Sequence, residues 1–158
     1  MRLSNRNKAS LYNFINTLLL MMVVLGIVSF LANEYRFNVL KNESYLLILV
    51  PVLMLFIFHL NGRQIFEYDS DGEALNFKNR NIIPFLNTPL YDEFPKYKLI
   101  KYDVITILFI KRLYITISSK NNGSTVLKYQ ISYLTGKEVN DLKLSLNKVV
   151  KTNKEKKD

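Results

Sequence analysis

The chain changes its hydrophobic pattern abruptly near residue 61. Before that point, two apolar stretches follow one another. Residues 9–33 contain no Asp, Glu, Lys, Arg or His, and residues 44–58 again contain none. A helix crossing roughly 30 Å of hydrocarbon needs about 20 mostly apolar residues. The pattern therefore predicts two spanning helices, over about 11–32 and 44–60, joined by a short loop. Pro51 lies inside the second; membrane helices tolerate it when neighbouring groups satisfy the freed carbonyl. The apolar core of the first span runs well past the about 7–15 residues of a signal peptide, and no A-x-A-like cleavage site follows.

From Gln64 onward the period becomes two. Residues 64–69 read as a strand, and Asp71-Gly72 supplies a hairpin turn. Residues 74–78 pair back with Leu75 and Phe77 inward. Residues 79–95 are rich in proline (Pro84, Pro89, Pro95), which restricts them to a loop with an edge strand near 90–94. Residues 96–105 return to β character. The clearest strand is 113–118, with Leu113, Ile115 and Ile117 on one face. An Asn122-Gly123 turn leads to 125–131, with Leu127, Tyr129 and Ile131 inward. Thr135 and Glu138 have the spacing of a capping box. The helix behind it carries Val139, Leu142, Leu146, Val149 and Val150 on one stripe. Residues 151–158 read as a disordered basic tail.

These elements predict an α+β membrane protein. Residues 1–62 form a two-helix transmembrane hairpin, and residues 63–150 an antiparallel β domain closed by one C-terminal amphipathic helix. The order of these parts resembles bacterial pleckstrin-homology-like (PH-like) membrane proteins. Residues 65–77, 113–131 and 133–150 carry the resemblance, with Tyr133-Leu134-Thr135-Gly136-Lys137-Glu138 leading into the capped helix. The resemblance implies a PH-like barrel and a bacterial inner-membrane location. It carries no catalytic residues, because the group shares no catalytic signature.

Charge adds orientation. The 158 residues have a net charge of +9. Arg2, Arg6 and Lys8 precede the first span. The loop between the spans balances Glu34 and Glu43 against Arg36 and Lys41. Arg63 and further basic residues follow the second. Flanking Lys and Arg stay on the cytoplasmic side, so both termini are expected there. The chain has no cysteine, which excludes disulfides and thiolate metal sites and suits a cytosolic domain.

Candidate chemistry is sparse. The one histidine, His59, sits at the end of the second apolar stretch, as an interfacial side chain would. Glu67, Asp69, Asp71 and Glu73 crowd a hairpin tip, and Asp92-Glu93 stand together; neither has Ca²⁺-loop spacing. No phosphate loop or nucleophile motif is present. The pattern points to a non-enzymatic module with no metal, cofactor or nucleic-acid partner.

Three surfaces remain. Arg63, Lys78, Arg80, Lys96 and Lys98, within a wider basic set that includes Lys101, Lys111 and Arg112, could meet anionic lipid headgroups. Ile82, Ile83, Phe85 and Leu86 are apolar enough to dip into a bilayer interface or to complete the domain core. Gly26, Ser29 and Ala32 form a small-residue stripe suited to helix packing. The first two surfaces suit a module that binds lipid or a protein segment on the cytoplasmic face. The third suits an accessory subunit held by a membrane-protein partner.

The orientation has a direct readout. Reporters fused at Lys41 and after Asp158 are expected to signal opposite sides of the membrane. The same side for both would exclude a hairpin.

Overall fold

The computed structural model describes residues 1–37, 43–83, 88–119 and 123–156. The chain is α+β, with antiparallel sheets and an N-terminal apolar helix. It divides into two units: Ser10–Leu60, and Met1–Ala9 together with Asn61–Asp158.

The first unit contains helix α1 (Ala9–Ala32), a π-helical stretch (Asn33–Phe37) and helix α2 (Leu46–Leu60). The continuous helical segment Arg6–Arg36 is long and apolar enough to cross a membrane. Helix α2 is also apolar, but its 15 residues rise only ~22 Å, short of the expected second span. Backbone bonds from Leu46, Leu47 and Ile48 to Glu43, Ser44 and Tyr45 add one turn before it.

The buried positions of α1 are Tyr12, Asn16, Leu19 and Gly26, with Val23 and Phe30 half-buried between and beyond them. This alternating spacing of three and four makes one seam, as in coiled coils. Gly26 is required by close approach: a Cβ there would lie 2.2 Å from the Leu47 carbonyl oxygen of α2.

Among its described residues, the second unit holds seven strands and one α-helix. Strands β1 (Arg2–Ser4), β2 (Ile65–Asp69), β3 (Ala74–Arg80) and β4 (Leu90–Pro95) form one antiparallel sheet in that order. Strands β5 (Leu99–Ile107), β6 (Ile110–Ser119) and β7 (Gly123–Gln130) form a second. Helix α3 (Gly136–Glu155) carries the expected capping box. Val139, Leu142 and Leu146 on α3 are buried.

Both sheets and α3 feed one core. Phe77 is its hub. Its ring stacks on Tyr129 at 4.9 Å and on Phe94 at 5.7 Å, with Tyr68 at 5.0 Å. Of the inward residues read from period two, Leu75, Phe77, Leu113, Ile115, Tyr129 and Ile131 are buried as expected, while Ile117 and Leu127 are only half-buried against the core.

Four features differ from the sequence reading. The expected closed barrel is absent among the described residues. The chain leaves the first sheet at Pro95, which has no N–H to donate, makes a 3-10 turn at Lys96–Lys98, and starts the second sheet at Leu99. The second apolar helix is short. The N-terminal residues assigned to the hairpin contribute a strand to the β domain, Leu3 pairing opposite Tyr68. Lastly, α3 runs on to Glu155 through most of the expected tail. Asn153 holds it there by donating to the carbonyls of Lys96 and Leu99 at 2.7 and 2.9 Å.

Asn5 completes β1 with its side chain. Its Nδ2 donates to the Gln64 carbonyl, and its Oδ1 accepts from the Phe66 amide, both at 2.8 Å in a fully buried position. Asn5→Ala would leave two buried backbone groups without partners, at about 1–3 kcal/mol each. Chemical denaturation of the full chain in detergent is expected to show a loss in that range, with Ser4→Ala near wild type. An unchanged midpoint for Asn5→Ala would mean that β1 is peripheral.

Candidate membrane-facing surface

The strands run alternately away from and toward the point where the chain enters the β domain. That near end is defined by Lys8–Ala9 and Asn61–Gln64. Strand β2 leaves it, β3 returns to Arg80, β5 returns to Ile107, β7 returns to Gln130, and α3 starts from it.

Buried amides stitch the near end together. Asn79 Nδ2 donates to the carbonyls of Ile65 and Gln130, at 3.1 and 3.0 Å. Asn79 Oδ1 accepts from the Gln130 amide at 2.9 Å. These bonds join the first sheet to the second. Gln130 Oε1 accepts from the Arg63 amide at 2.7 Å, and Gln64 Oε1 accepts from the Ile82 amide at 3.2 Å. Gly62 is constrained twice: its φ is 87°, and a Cβ would meet the Gln130 side chain at 2.4 Å.

The β5–β6 hairpin reaches this same end. Arg112 pairs opposite Gln130, and the Ile131 amide donates to the Lys111 carbonyl at 2.9 Å. Beyond Lys111 the strands close through a two-residue loop, Leu108-Phe109, with Ile107 opposite Ile110. Leu108 has φ 53° and is 86% exposed; Phe109 is 74% exposed and Ile107 62%. Hairpins normally place Gly, Asn or Asp at such a position. A leucine there costs about 1–2 kcal/mol and returns no burial.

The five expected headgroup residues are not brought together. Arg63 and Arg80 lie at the near end, with Ile65 opposite Arg80. Arg63 Nη2 donates to the Thr88 carbonyl at 3.1 Å, and partial burial pulls its pKa below the ordinary guanidinium value. Lys78 stands mid-strand on β3, its ammonium 5.7 Å from the Tyr91 ring centroid. Lys96 and Lys98 sit at the far end, roughly 20 Å away along β3, whose first residue Ala74 pairs with Pro95. Lys111 and Arg112, from the wider basic set, join Arg63 and Arg80. The Nε atoms of Arg63 and Arg112 are buried and bond no protein group among the described residues.

Ile82 and Ile83 are half-buried at the near end. Phe85 and Leu86 lie outside the described residues. In the small-residue stripe, Gly26 packs on α2 within the chain, Ala32 is half-buried and Ser29 is exposed. Its closest-packing member therefore already has an intramolecular partner. Sequence reading missed the apolar tip. The one signal available was an uncharged run over residues 104–110 that contains no turn-forming residue.

At the far end, a cleft of 540 Å³ is lined by Lys96, Lys148, Lys156, Ser145 and Glu73, among others. Among the described residues no three His, Cys, Asp or Glu side chains gather as a metal would require. His59 Nδ1 lies 3.0 Å from the Leu55 carbonyl of its own helix. Tyr129 donates to Asp92 Oδ2 at 2.7 Å; burial first, then this carboxylate, pushes the phenol pKa far up. The pair serves as a neutral donor to an acceptor within the fold.

No family model matches the chain, and no curated protein or solved structure is significantly similar to it.

The near end also contains an ionic tie. Lys8 Nζ lies 3.0 Å from Glu138 Oε1, and Glu138 Oε2 accepts from the Thr135 amide at 2.7 Å. Burial alone would raise the Glu138 pKa, but Thr135 and Lys8 outweigh it and hold the carboxyl below 4.5. A lowered folded pKa contributes stability that is present above the unfolded value and lost as pH falls through the folded one. Thermal melts of the full chain across the acid range are expected to show this loss, and Glu138→Gln is expected to lack that part of it. An identical pH profile in the variant would contradict the tie.

Proposed function

We propose that the chain is a non-enzymatic, membrane-anchored module of PH-like layout. A two-helix transmembrane hairpin anchors it in a bacterial inner membrane with both termini cytoplasmic. Its β domain presents Arg63, Arg80, Lys111 and Arg112 to anionic lipid headgroups. One observation carries the reading. Strand β1 precedes α1, strand β2 follows α2, and the two pair in one sheet. The chain must therefore cross any membrane an even number of times between them. Helix α1 passes the length and composition test for one crossing. The return then falls to α2, the other apolar helix among the described residues between the strands.

The shortness of α2 is compatible with this role. Counting the turn from Glu43, the helical path to Leu60 is ~27 Å long. Local thinning and snorkelling flanks absorb a mismatch of a few ångström at modest cost. His59 and Arg63 lie where such flanks are needed. Arg2, Arg6 and Lys8 before α1 favour the cytoplasmic side for the N-terminus. The paired strands then keep the β domain on that side.

The PH-like layout is supported by the seven antiparallel strands of the described residues and the capped amphipathic helix that follows them over the core. It departs from the simple pattern in its two unclosed sheets and in the strand ahead of the first helix.

Two measurements test the reading. The full chain in bacterial membranes is expected to resist alkaline extraction; release into the supernatant would overturn the anchor. Native mass spectrometry of the detergent-solubilised chain is expected to retain phosphatidylglycerol over phosphatidylcholine. Replacing Arg63, Arg80 and Arg112 by Gln should remove most of that preference, and equal retention by the wild type would overturn the headgroup surface.

A further inference from the structure

We propose that the β5–β6 hairpin tip is a second membrane contact, with Leu108 and Phe109 entering the headgroup–acyl boundary and Lys111 and Arg112 meeting phosphates just above it. The inference deepens the anchored-module reading and rests on it.

Four observations converge. Ile107, Leu108 and Phe109 are consecutive, apolar and mostly exposed. Their side chains therefore do not serve the domain core. Leu108 also occupies a left-handed turn position that glycine would fill without strain. The backbone thus disfavours leucine there, and an outlier of this kind points to a role outside the fold. The third observation is location. Through Arg112, Gln130 and Arg63, the hairpin is tied to the end of the β domain from which the chain continues into α1 and α2. With the helices anchoring the chain as proposed, this is the end of the β domain that is tethered at the bilayer.

The fourth is charge. No acidic residue occurs from residue 104 to residue 112, and two cations follow the apolar run directly. An apolar tip backed by cations matches the layered chemistry of an anionic leaflet, in which hydrocarbon lies beneath phosphate. It matches a second copy of the chain poorly. A two-fold contact through the tip would bring each Lys111–Arg112 pair against its own image.

The chain contains no tryptophan and no cysteine, so a single introduced tryptophan reports alone. The full chain carrying Phe109→Trp is reconstituted in vesicles of phosphatidylglycerol and phosphatidylcholine, with some lipids brominated along the acyl chain. Val126→Trp, at an exposed position on β7, serves as the reference. Phe109→Trp is expected to emit at shorter wavelength and to be quenched by brominated lipid several-fold more than the reference. Adding Leu108→Gly to Phe109→Trp is expected to weaken quenching without lowering the melting temperature, because it removes apolar surface and relieves the positive φ.

Equal quenching at both positions, in a chain that resists alkaline extraction, would overturn the tip contact and leave the anchor standing. Quenching at Phe109→Trp in a chain that is extracted would do the reverse. A blue shift without bromine quenching would assign the tip to a protein neighbour and overturn the proposal. So would a large loss of thermal stability in the Leu108→Gly variant with quenching unchanged, since leucine would then serve the fold.

Discussion

Everything in this protein depends on a pairing between two short segments that lie on either side of the apolar helices. Strand β1 contributes three residues, and Asn5 extends it with a side chain that imitates a strand's backbone. Its amide and carbonyl oxygen fill the positions opposite Gln64 and Phe66 that a fourth paired residue would otherwise occupy. The loop so closed is about 60 residues long, but closure entropy grows only with the logarithm of loop length. Buried carboxamides suit this task. They carry no net charge to desolvate, yet each offers both donor and acceptor, so a crowded joint can be fully bonded. Asn79 repeats the solution between the two sheets, where no strand ladder continues.

The split sheet follows from the same economy. Pro95 ends one ladder, and a short turn redirects the chain before Leu99 begins the next. The two sheets then share a core in place of a continuous seam. Phe77 and Tyr129 stack across it, one from each sheet, and α3 buries its own Leu142 and Leu146 against the remaining side. Lys8 and Glu138 bring the N-terminal segment to the start of α3, so this end of the β domain is held by charges as well as amides.

Much of this was legible in the linear pattern. The alternation through Leu113, Ile115 and Ile117 is a direct image of one sheet face. The Thr135–Glu138 spacing names the start of α3. Strand β1 was not legible, because Arg2-Leu3-Ser4 is too short to show a period and its partner lies more than 60 residues away. The end of α3 was missed because Val150 is the last apolar residue on its stripe. Beyond it the helix is held by Asn153 against carbonyls of a distant segment, a contact no local pattern announces. The basic surface was only half legible. Arg63 and Arg80 end up at one end and Lys96 and Lys98 at the other, since antiparallel strands return the chain to alternate ends regardless of charge. The Leu108-Phe109 turn was missed because it contains none of the residues that ordinarily mark turns.

The order of synthesis gives the β1–β2 pairing a temporal meaning. Strand β1 leaves the ribosome first, yet β2 follows only after both apolar helices. At about 5–20 residues per second, β1 waits several seconds for its partner. If the helices cross a membrane as proposed, during that wait they either return the chain to the side it started from or do not. Only a returned chain can bond Asn5 to Gln64 and Phe66, so completion of the sheet reports that the preceding segment has been threaded correctly. A misthreaded chain would instead keep β2 as an unpaired edge, with apolar Phe66 and Tyr68 beside it, the kind of surface that quality-control proteases and chaperones engage.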